Sequence, residues 1–196
     1  MGKKGSGKTE LAKYLSSEHE RLIVWDFLGQ FECNDIANHT KIIEKALANS
    51  VFNISIRLPD HYFPDICTLV KQKGNCLFVV DEIDMISSPT SIPKELDYLI
   101  RYGRHHSVDL ITTARRPAEM HRNLTANADD IYVYHTHEPR DLSYLSRFLD
   151  IEVIGGLKQY EYLHYNTLTQ DYERGKIELY ERGMIEVNES DEATDY

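Results

Sequence analysis

Short apolar segments alternate with longer amphipathic ones along this chain. Residues 21–26 and 76–80 are apolar over most of their length, which is typical of parallel strands that are covered on both faces. Residues 52–58 alternate between apolar and polar positions with a period of two, which also indicates a strand. Together with residues 108–113 and 131–135, these segments predict five strands.

The segments between the strands carry apolar residues at the spacing of a helix face. The predicted helices cover residues 9–18, 35–48, 64–73, 93–102, 117–128 and 139–149. Asp35 can cap the second helix, and Gly74 and Gly103 are placed to end the third and the fourth. Because strands and helices alternate with short connections, the pattern predicts an α/β fold with a mostly parallel sheet flanked by helices.

The pattern changes after Gly155 and Gly156. Residues 160–166 and 176–181 predict a small C-terminal β-hairpin, and the acidic, polar segment that follows predicts a disordered tail. We therefore expect three parts. They are a core at residues 2–150, a helix and hairpin extension of the same domain at residues 151–185, and an acidic tail at residues 186–196.

Composition narrows the class of protein. The 196 residues are 41% hydrophobic, which suits one globular domain, and no apolar run approaches 18 residues, so we expect no membrane segment in this chain. Three cysteines without C-x-x-C spacing predict neither a disulfide framework nor a thiolate zinc site, and they favour a cytoplasmic protein. His135 and His137 share a predicted strand face, but no acid or cysteine completes a zinc ligand set at useful spacing.

The first residues of the chain fit the phosphate-binding pattern G-x-x-x-x-G-K-[ST] at every fixed position. The predicted nucleotide-binding residues are Gly2, Lys3, Lys4, Gly5, Ser6, Gly7, Lys8, Thr9 and Glu10. In such a loop the backbone N–H groups surround a polyphosphate, Lys8 reaches its β- and γ-phosphates, and the Thr9 hydroxyl holds Mg²⁺. The predicted cofactors are ATP and Mg²⁺. Because only Met1 precedes the loop where a buried strand is expected, the predicted sheet has its first strand missing or truncated.

Two acids directly follow the most apolar predicted strand. Asp81, at its carboxyl end, is placed to bind Mg²⁺, and Glu82 is placed to polarise the water that attacks the γ-phosphate. The alternative is a solvated turn. Asp84 is better explained as a cap or a surface acid than as a third catalytic group.

Two additional predicted strands separate the phosphate loop from Asp81 and Glu82. This arrangement resembles the additional-strand catalytic-glutamate division of P-loop NTPases. The segment at residues 102–117 narrows the likeness, because it resembles the FtsK–HerA superfamily of DNA-pumping ATPases, in which an arginine precedes a strand that ends in a motif like Thr-Gln-Arg-Pro. The resemblance implies an ATP hydrolase that works as a homo-oligomeric ring on double-stranded DNA.

The same resemblance implies roles for two arginines. Arg104 would be the arginine finger that reaches the γ-phosphate of a neighbouring subunit, unless it only pairs with a helix end. Arg115 occupies the position at which the family usually has glutamine. We expect either that Arg115 contacts phosphate or that Thr113 has taken over the sensing role.

Arg116 and Arg122 belong to a small basic cluster in a chain whose formal net charge is -10. That charge disfavours a protein coated in positive potential, but a local cluster could contact a DNA backbone in the pore of a ring. Scattered surface arginines are the alternative explanation.

Three functions remain open on the sequence alone. The first is a Mg-dependent ATPase that translocates or packages double-stranded DNA, similar to the genome-packaging ATPases of tailless icosahedral viruses or to HerA-like translocases; a viral member would lie in the host cytoplasm or the virion. The second is an ATPase of filamentous phage assembly that resembles zonular occludens toxin. The third is a nucleotide-gated interaction module with little hydrolysis.

Overall fold

The computed structural model describes residues 1–179 and 185–189, and it contains two sheets. The first has five parallel strands in the order β2-β3-β1-β4-β5. These strands are β1 (Arg21–Trp25), β2 (Asp35–Ala37), β3 (Phe52–Ile56), β4 (Cys76–Val80) and β5 (Val108–Thr112). The second has four antiparallel strands in the order β6-β7-β8-β9. They are β6 (Asp130–Tyr134), β7 (Glu161–Asn166), β8 (Tyr172–Leu179) and β9 (Ile185–Glu189).

Helices cover the sheets and connect their strands. The α-helices are α1 (Lys8–Ser16), α2 (Thr40–Leu47), α3 (Phe63–Lys73), α4 (Lys94–Tyr102), α5 (Arg122–Ala126), α6 (Pro139–Leu145) and α7 (Ile151–Gly155). Short 3₁₀ turns lie at Asp60–Tyr62, Ile83–Met85, Gly103–His106 and Pro117–Glu119. No helix within residues 1–179 and 185–189 is long and apolar enough to cross a membrane.

The apolar segments form the buried strands that the pattern predicts. All five residues of β4 are buried, and in β1 only Arg21 is partly exposed. Helices α2, α3 and α4 pack on one face of the parallel sheet, where Trp25, Phe63 and Phe78 are among the buried core residues. The predicted α/β fold with a mostly parallel sheet is confirmed.

Three local predictions are wrong. Residues 35–37 form strand β2 and not the start of a helix, because pairing of Asp35 with Ile54 at the sheet edge outweighs local capping preference. Residues 117–128 do not form one helix, because Met120 is extended and places its side chain in the core. The strand predicted at residues 131–135 forms as β6, but it pairs with β7 in the antiparallel second sheet and does not belong to the parallel sheet.

The C-terminal hairpin is present and belongs to a larger sheet. Its two strands are β7 and β8, and they are flanked by β6 and β9. Residues 186–189, the beginning of the predicted acidic tail, lie in β9, whereas residues 190–196 lie outside the described residues.

Helix α1 lies between the two sheets. One of its sides contributes Ala12 to a cluster with Leu22, Leu77 and Val79 of the parallel sheet. Its other side contributes Leu11 to a cluster with buried residues of the second sheet, namely Tyr134, Tyr162 and Ile177. The helix that follows the phosphate loop is therefore held from both sides.

Candidate nucleotide site

The phosphate loop has the backbone conformation for which its glycines are needed. Gly5 and Gly7 have φ values of 78° and 104°, which side-chain-bearing residues rarely adopt. At Gly2 a side chain would also collide with a neighbour, because an added Cβ would lie 2.6 Å from Cβ of Tyr134. Helix α1 begins directly after the loop at Lys8, with no side-chain cap on its first turn. Its free N–H groups are thus available to an anion.

Lys8 lies buried against its own loop. Its Nζ donates to the Lys3 carbonyl oxygen at 2.9 Å, and burial lowers the pKa of the Lys8 amine to about 8. The Ser6 hydroxyl nearby is buried without a hydrogen-bond partner within the described part of the chain. A buried ammonium and an unpartnered hydroxyl fit a polyphosphate, which would accept hydrogen bonds from both.

The other predicted loop residues differ in how they are placed. Lys3 and Lys4 are exposed, so their ammonium groups are accessible. Glu10 pairs with Lys13 one turn further along α1, with 2.8 Å between carboxylate and ammonium.

Asp81 and Thr9 meet at the carboxyl end of β4. The Thr9 hydroxyl lies 3.4 Å from Oδ1 of Asp81, and the Thr113 hydroxyl donates to the same oxygen at 2.6 Å. The other carboxylate oxygen, Oδ2, is buried and has no partner among the described residues. Burial raises the pKa of Asp81, and the hydrogen bond from Thr113 opposes that rise. An orphaned carboxylate oxygen beside a threonine hydroxyl fits Mg²⁺, which binds one or two protein oxygens and completes its shell with phosphate and water.

Glu82 is held by three contacts next to Asp81. Its backbone is left-handed, with a φ of 54°, and its N–H donates to the Thr113 hydroxyl at 2.9 Å. Its carboxylate accepts two hydrogen bonds from the Arg115 guanidinium, one of them from Nε at 2.9 Å. The acid predicted to orient water is thus paired with Arg115, for which the sequence resemblance led us to expect a phosphate contact.

Arg104 lies at the other end of the sheet. It precedes β5 in an exposed 3₁₀ turn, whereas Lys8, Asp81 and Glu82 gather at the carboxyl ends of β4 and β5. Five residues of strand separate the two ends, roughly 16 Å at the usual rise per residue. The structure therefore brings Arg115 to the acids of this chain and leaves Arg104 away from them.

Arg116 is fully engaged with carboxylates. Its guanidinium pairs with Asp141 at 2.9 Å and with Glu138 at 3.0 Å, and it lies 3.9 Å from Glu119. Arg122 is different, because it is exposed and its guanidinium lies over the Tyr144 ring, 4.1 Å from the centroid.

Comparison with solved structures places the fold among known proteins. The genome packaging NTPase B204 from Sulfolobus turreted icosahedral virus 2, in complex with AMPPCP, superposes with a TM-score of 0.75 at 21% identity, over 88% of this chain and 93% of that one. The chain has the fold of this P-loop NTPase. Structures of the same protein with ATP-gammaS and with AMP give TM-scores of 0.73 at 21% and 22% identity, with the same coverage of both chains.

A second solved structure is similar at a lower level. The N-terminal domain of zonular occludens toxin from Neisseria meningitidis gives a TM-score of 0.50 at 18% identity, over 85% of this chain and 81% of that one. No protein-family model matches the sequence, and comparison with curated proteins gives no match either.

Proposed function

We propose that this protein is a Mg-dependent ATPase that works as a homo-oligomeric ring and moves double-stranded DNA, as in viral genome packaging. The observation that carries the proposal is the meeting of the Thr9 hydroxyl with the Asp81 carboxylate, whose second oxygen is buried and unpartnered within the described chain. Glu82 directly follows Asp81, and in this proposal it would orient the attacking water. The fold shared with a DNA-packaging NTPase agrees with this assignment.

The residues of this chain divide the chemistry among them. The loop N–H groups and Lys8 would bind the β- and γ-phosphates, and Thr9 and Asp81 would hold Mg²⁺, which when bound neutralises phosphate charge. Glu82 would orient the attacking water and accept its proton. Thr113 fixes the two acids relative to each other because it contacts both.

Arg115 neutralises Glu82 as long as their ion pair persists. A γ-phosphate carries more negative charge than one carboxylate, so it would attract the guanidinium and free Glu82 to bind water. This assigns Arg115 a phosphate contact coupled to release of the catalytic acid.

The test is ATP turnover with and without duplex DNA. Glu82→Gln keeps the size of the side chain and removes its basicity, so turnover should fall by roughly 100-fold or more. Glu44→Gln, at an exposed position on α2, is the matched control and should leave turnover unchanged. Equal turnover in both variants, without DNA stimulation, would contradict the proposal.

The DNA backbone would meet a cationic groove around Tyr144. Arg122, Arg140 and Arg147 surround this side chain and line a groove of about 380 Å³. All three arginines are exposed, and none has a salt-bridge partner within residues 1–179 and 185–189. Because Arg116 is neutralised by carboxylates, the expected phosphate contact at Arg116 is replaced in this proposal by these three arginines, with Arg122 retained.

The salt dependence of DNA binding tests whether these three arginines contact the phosphate backbone or are only scattered surface charges. Replacing any one of these arginines with alanine should reduce the slope of log affinity against log salt by about one. Lys41→Ala, at an exposed position on α2, is the control and should leave the slope unchanged. Equal slopes in all variants would remove the groove from the proposed DNA path.

Two other functions have specific support. The similarity to the zonular occludens toxin domain favours a phage-assembly ATPase, for which duplex DNA should not stimulate turnover. The pairing of Glu82 with Arg115 favours a nucleotide-gated module, for which single-turnover hydrolysis should remain slow even when ATP is saturating.

A further inference from the structure

The side chain of His164 joins three strands of the second sheet. His164 lies in β7 two positions after Tyr162, so both side chains point to the face that packs against α1. Its Nε2 is 2.7 Å from Oδ1 of Asp130 in β6, and its Nδ1 is 2.7 Å from Oε1 of Glu173 in β8. The imidazole therefore contacts the strand on each side of its own. We call Asp130, His164 and Glu173 the histidine clasp.

The geometry of the clasp requires a protonated imidazole. Asp130 and Glu173 are about half exposed, and carboxylates of this kind are ionised at neutral pH. A neutral imidazole has only one N–H, so its other nitrogen would present a lone pair to a carboxylate oxygen. The imidazolium donates from both nitrogens and satisfies both contacts with charge-assisted hydrogen bonds. One positive charge thus lies between two negative ones.

The surroundings of the ring also favour the charged form. The Tyr132 ring stacks on the imidazole, with 4.4 Å between the centroids and 6° between the planes, and an aromatic face attracts a cation. Burial by itself would lower the pKa of His164, but the hydrogen bonds to Asp130 and Glu173 outweigh it and raise that pKa above its ordinary value of 6.5.

Two further titratable groups lie close to the clasp. Asp129 and His19 line the same groove as Asp130 and Tyr132. Asp129 adds negative charge, which also favours protonation of His164. Both groups are exposed, so solvent screens their effect. His19 follows α1 and is itself a histidine, so its titration has to be separated from that of His164 by experiment.

Strand β6, which the clasp holds against β7, also holds the phosphate loop. The Met1 nitrogen donates to the Tyr132 carbonyl oxygen, and the Met1 carbonyl oxygen accepts from the Tyr134 N–H at 2.8 Å. The Gly2 N–H then donates to the Ala114 carbonyl oxygen at 3.1 Å, just beyond β5. This bridge made by Met1 and Gly2 joins β6 to the end of β5 at the start of the phosphate loop. A looser β6 would therefore leave the loop less firmly held.

We propose that the histidine clasp is a pH-sensitive switch, which holds β6, β7 and β8 together while His164 is protonated and loosens them, and with them the phosphate loop, when His164 loses its proton. The folded pKa lies above the ordinary value, so the clasp stabilises fully below pH 6.5. Its contribution is lost as pH rises through the folded pKa of His164. The inference concerns the second sheet, and it does not depend on ATP hydrolysis.

The first measurement is an NMR titration of the histidine ring protons. The signal of His164 is assigned by its absence in His164→Gln, and it should titrate above pH 6.5. Asp130→Asn and Glu173→Gln each remove one negative charge at a half-exposed position, so each should lower the pKa of His164. A pKa at or below 6.5, or one that neither variant lowers, would overturn the proposal.

The second measurement compares stability at pH 6 and pH 9. The melting temperature of the unmodified protein should fall by about 2–4 °C more than that of His164→Gln, and this comparison cancels the other groups that titrate in the same range. After correction for the intrinsic effect of pH, amide exchange in residues 2–7 and 131–134 should accelerate roughly five-fold more in the unmodified protein. His19→Gln is the matched control and should behave like the unmodified protein.

Three results of the second measurement would count against the switch. Equal losses of melting temperature in the unmodified protein and in His164→Gln would show that the clasp does not respond to pH. A loss that disappears in His19→Gln would assign the response to His19. Unchanged exchange at residues 2–7 would disprove the coupling to the phosphate loop. Neither measurement involves ATP, so failure here is distinguishable from failure of the proposed function.

Discussion

Thr113 links the two acids of the candidate site. Its hydroxyl donates to Asp81 and accepts from the N–H of Glu82. The position was predictable in part: Thr113 ends a strand, and parallel pairing of β4 with β5 places Thr112 beside Val80. The contact of Arg115 with Glu82 was not predictable, because it depends on which way a long side chain turns at the sheet edge.

Lys8 provides a pH-dependent prediction. Its folded pKa of about 8 lies below the ordinary value of 10.5 because the amine is buried. Bound polyphosphate favours the charged form, so ATP binding near pH 9 should take up a proton at Lys8. Calorimetric binding enthalpies at pH 9 should therefore vary with the ionisation enthalpy of the buffer. In Lys8→Arg, whose side chain stays charged, this variation should disappear.

The lowered pKa of Lys8 also makes the stability of the nucleotide-free protein depend on pH. Below pH 8 the folded state bears the full cost of the buried charge, and between pH 8 and 10.5 the unfolded state binds more protons. Lys8 therefore contributes a rise in the free energy of unfolding as pH increases through this window.

The calorimetric prediction for ATP binding has a clear contradicting outcome. A binding enthalpy at pH 9 that is independent of the buffer would contradict the assignment of the lowered pKa to Lys8.

Because Arg115 and Glu82 form an ion pair, substitutions at these two positions should change the free energy of unfolding non-additively. Arg115→Met leaves an unpaired carboxylate at a position that is only 8% exposed, so it should cost about 1–3 kcal/mol. Adding Glu82→Gln removes that carboxylate, and the double variant should regain part of the loss. Urea unfolding of the four proteins in this cycle measures the coupling; strictly additive changes would show that the pair is not formed in solution.

At the scale of elements, the second sheet supports the phosphate loop. Tyr134 limits the space at Gly2, and Ile177 and Tyr160 lie 3.2 Å from a Cβ that would be added at Gly7. The sequence predicted the hairpin of β7 and β8, since its alternation is local. Its packing on α1 was not predicted, because that contact joins Leu11 to Ile177 and no local pattern encodes it.

Gly175 in β8 tests this support. An added Cβ would lie 2.4 Å from the ring of Tyr162, which is itself packed against α1. Gly175→Ala should therefore destabilise the protein by about 1–3 kcal/mol through overpacking. Thermal unfolding measures the change, and nucleotide affinity should weaken with it.

Gly155 provides the matched control for that substitution. It ends α7, and nothing lies within 4 Å of an added Cβ. Gly155→Ala should be neutral or slightly stabilising. Equal destabilisation by both substitutions would show that loss of glycine, and not the contact with Tyr162, is responsible.

At the scale of the whole molecule, the position of Arg104 bears on the proposed ring. Arg104 lies away from the acids of its own chain, so its proposed role requires a neighbour. The sequence indicated this residue through family resemblance alone, and the fold adds that it is exposed at the far end of β5. Subunit geometry is not encoded in one chain's hydrophobic pattern.

Mixing two inactive variants tests that role. Arg104→Ala should reduce turnover by about 10³-fold if it removes an arginine finger, and Lys8→Ala should prevent productive ATP binding. In a ring, mixed subunits place an intact Arg104 beside an intact Lys8, so the mixture should regain activity that neither variant has alone. Arg101→Ala, at another exposed position, is the control. This variant should keep its ATP turnover without being mixed with a second variant.

The bridge made by Met1 and Gly2 also bears on the order of folding. These first residues hydrogen-bond to Tyr132, Tyr134 and Ala114, more than a hundred positions later in the chain. Closing such long loops is entropically costly and slow. The phosphate loop must therefore wait for β5 and β6 before it can be fixed. It is among the last parts of the fold to reach its native place.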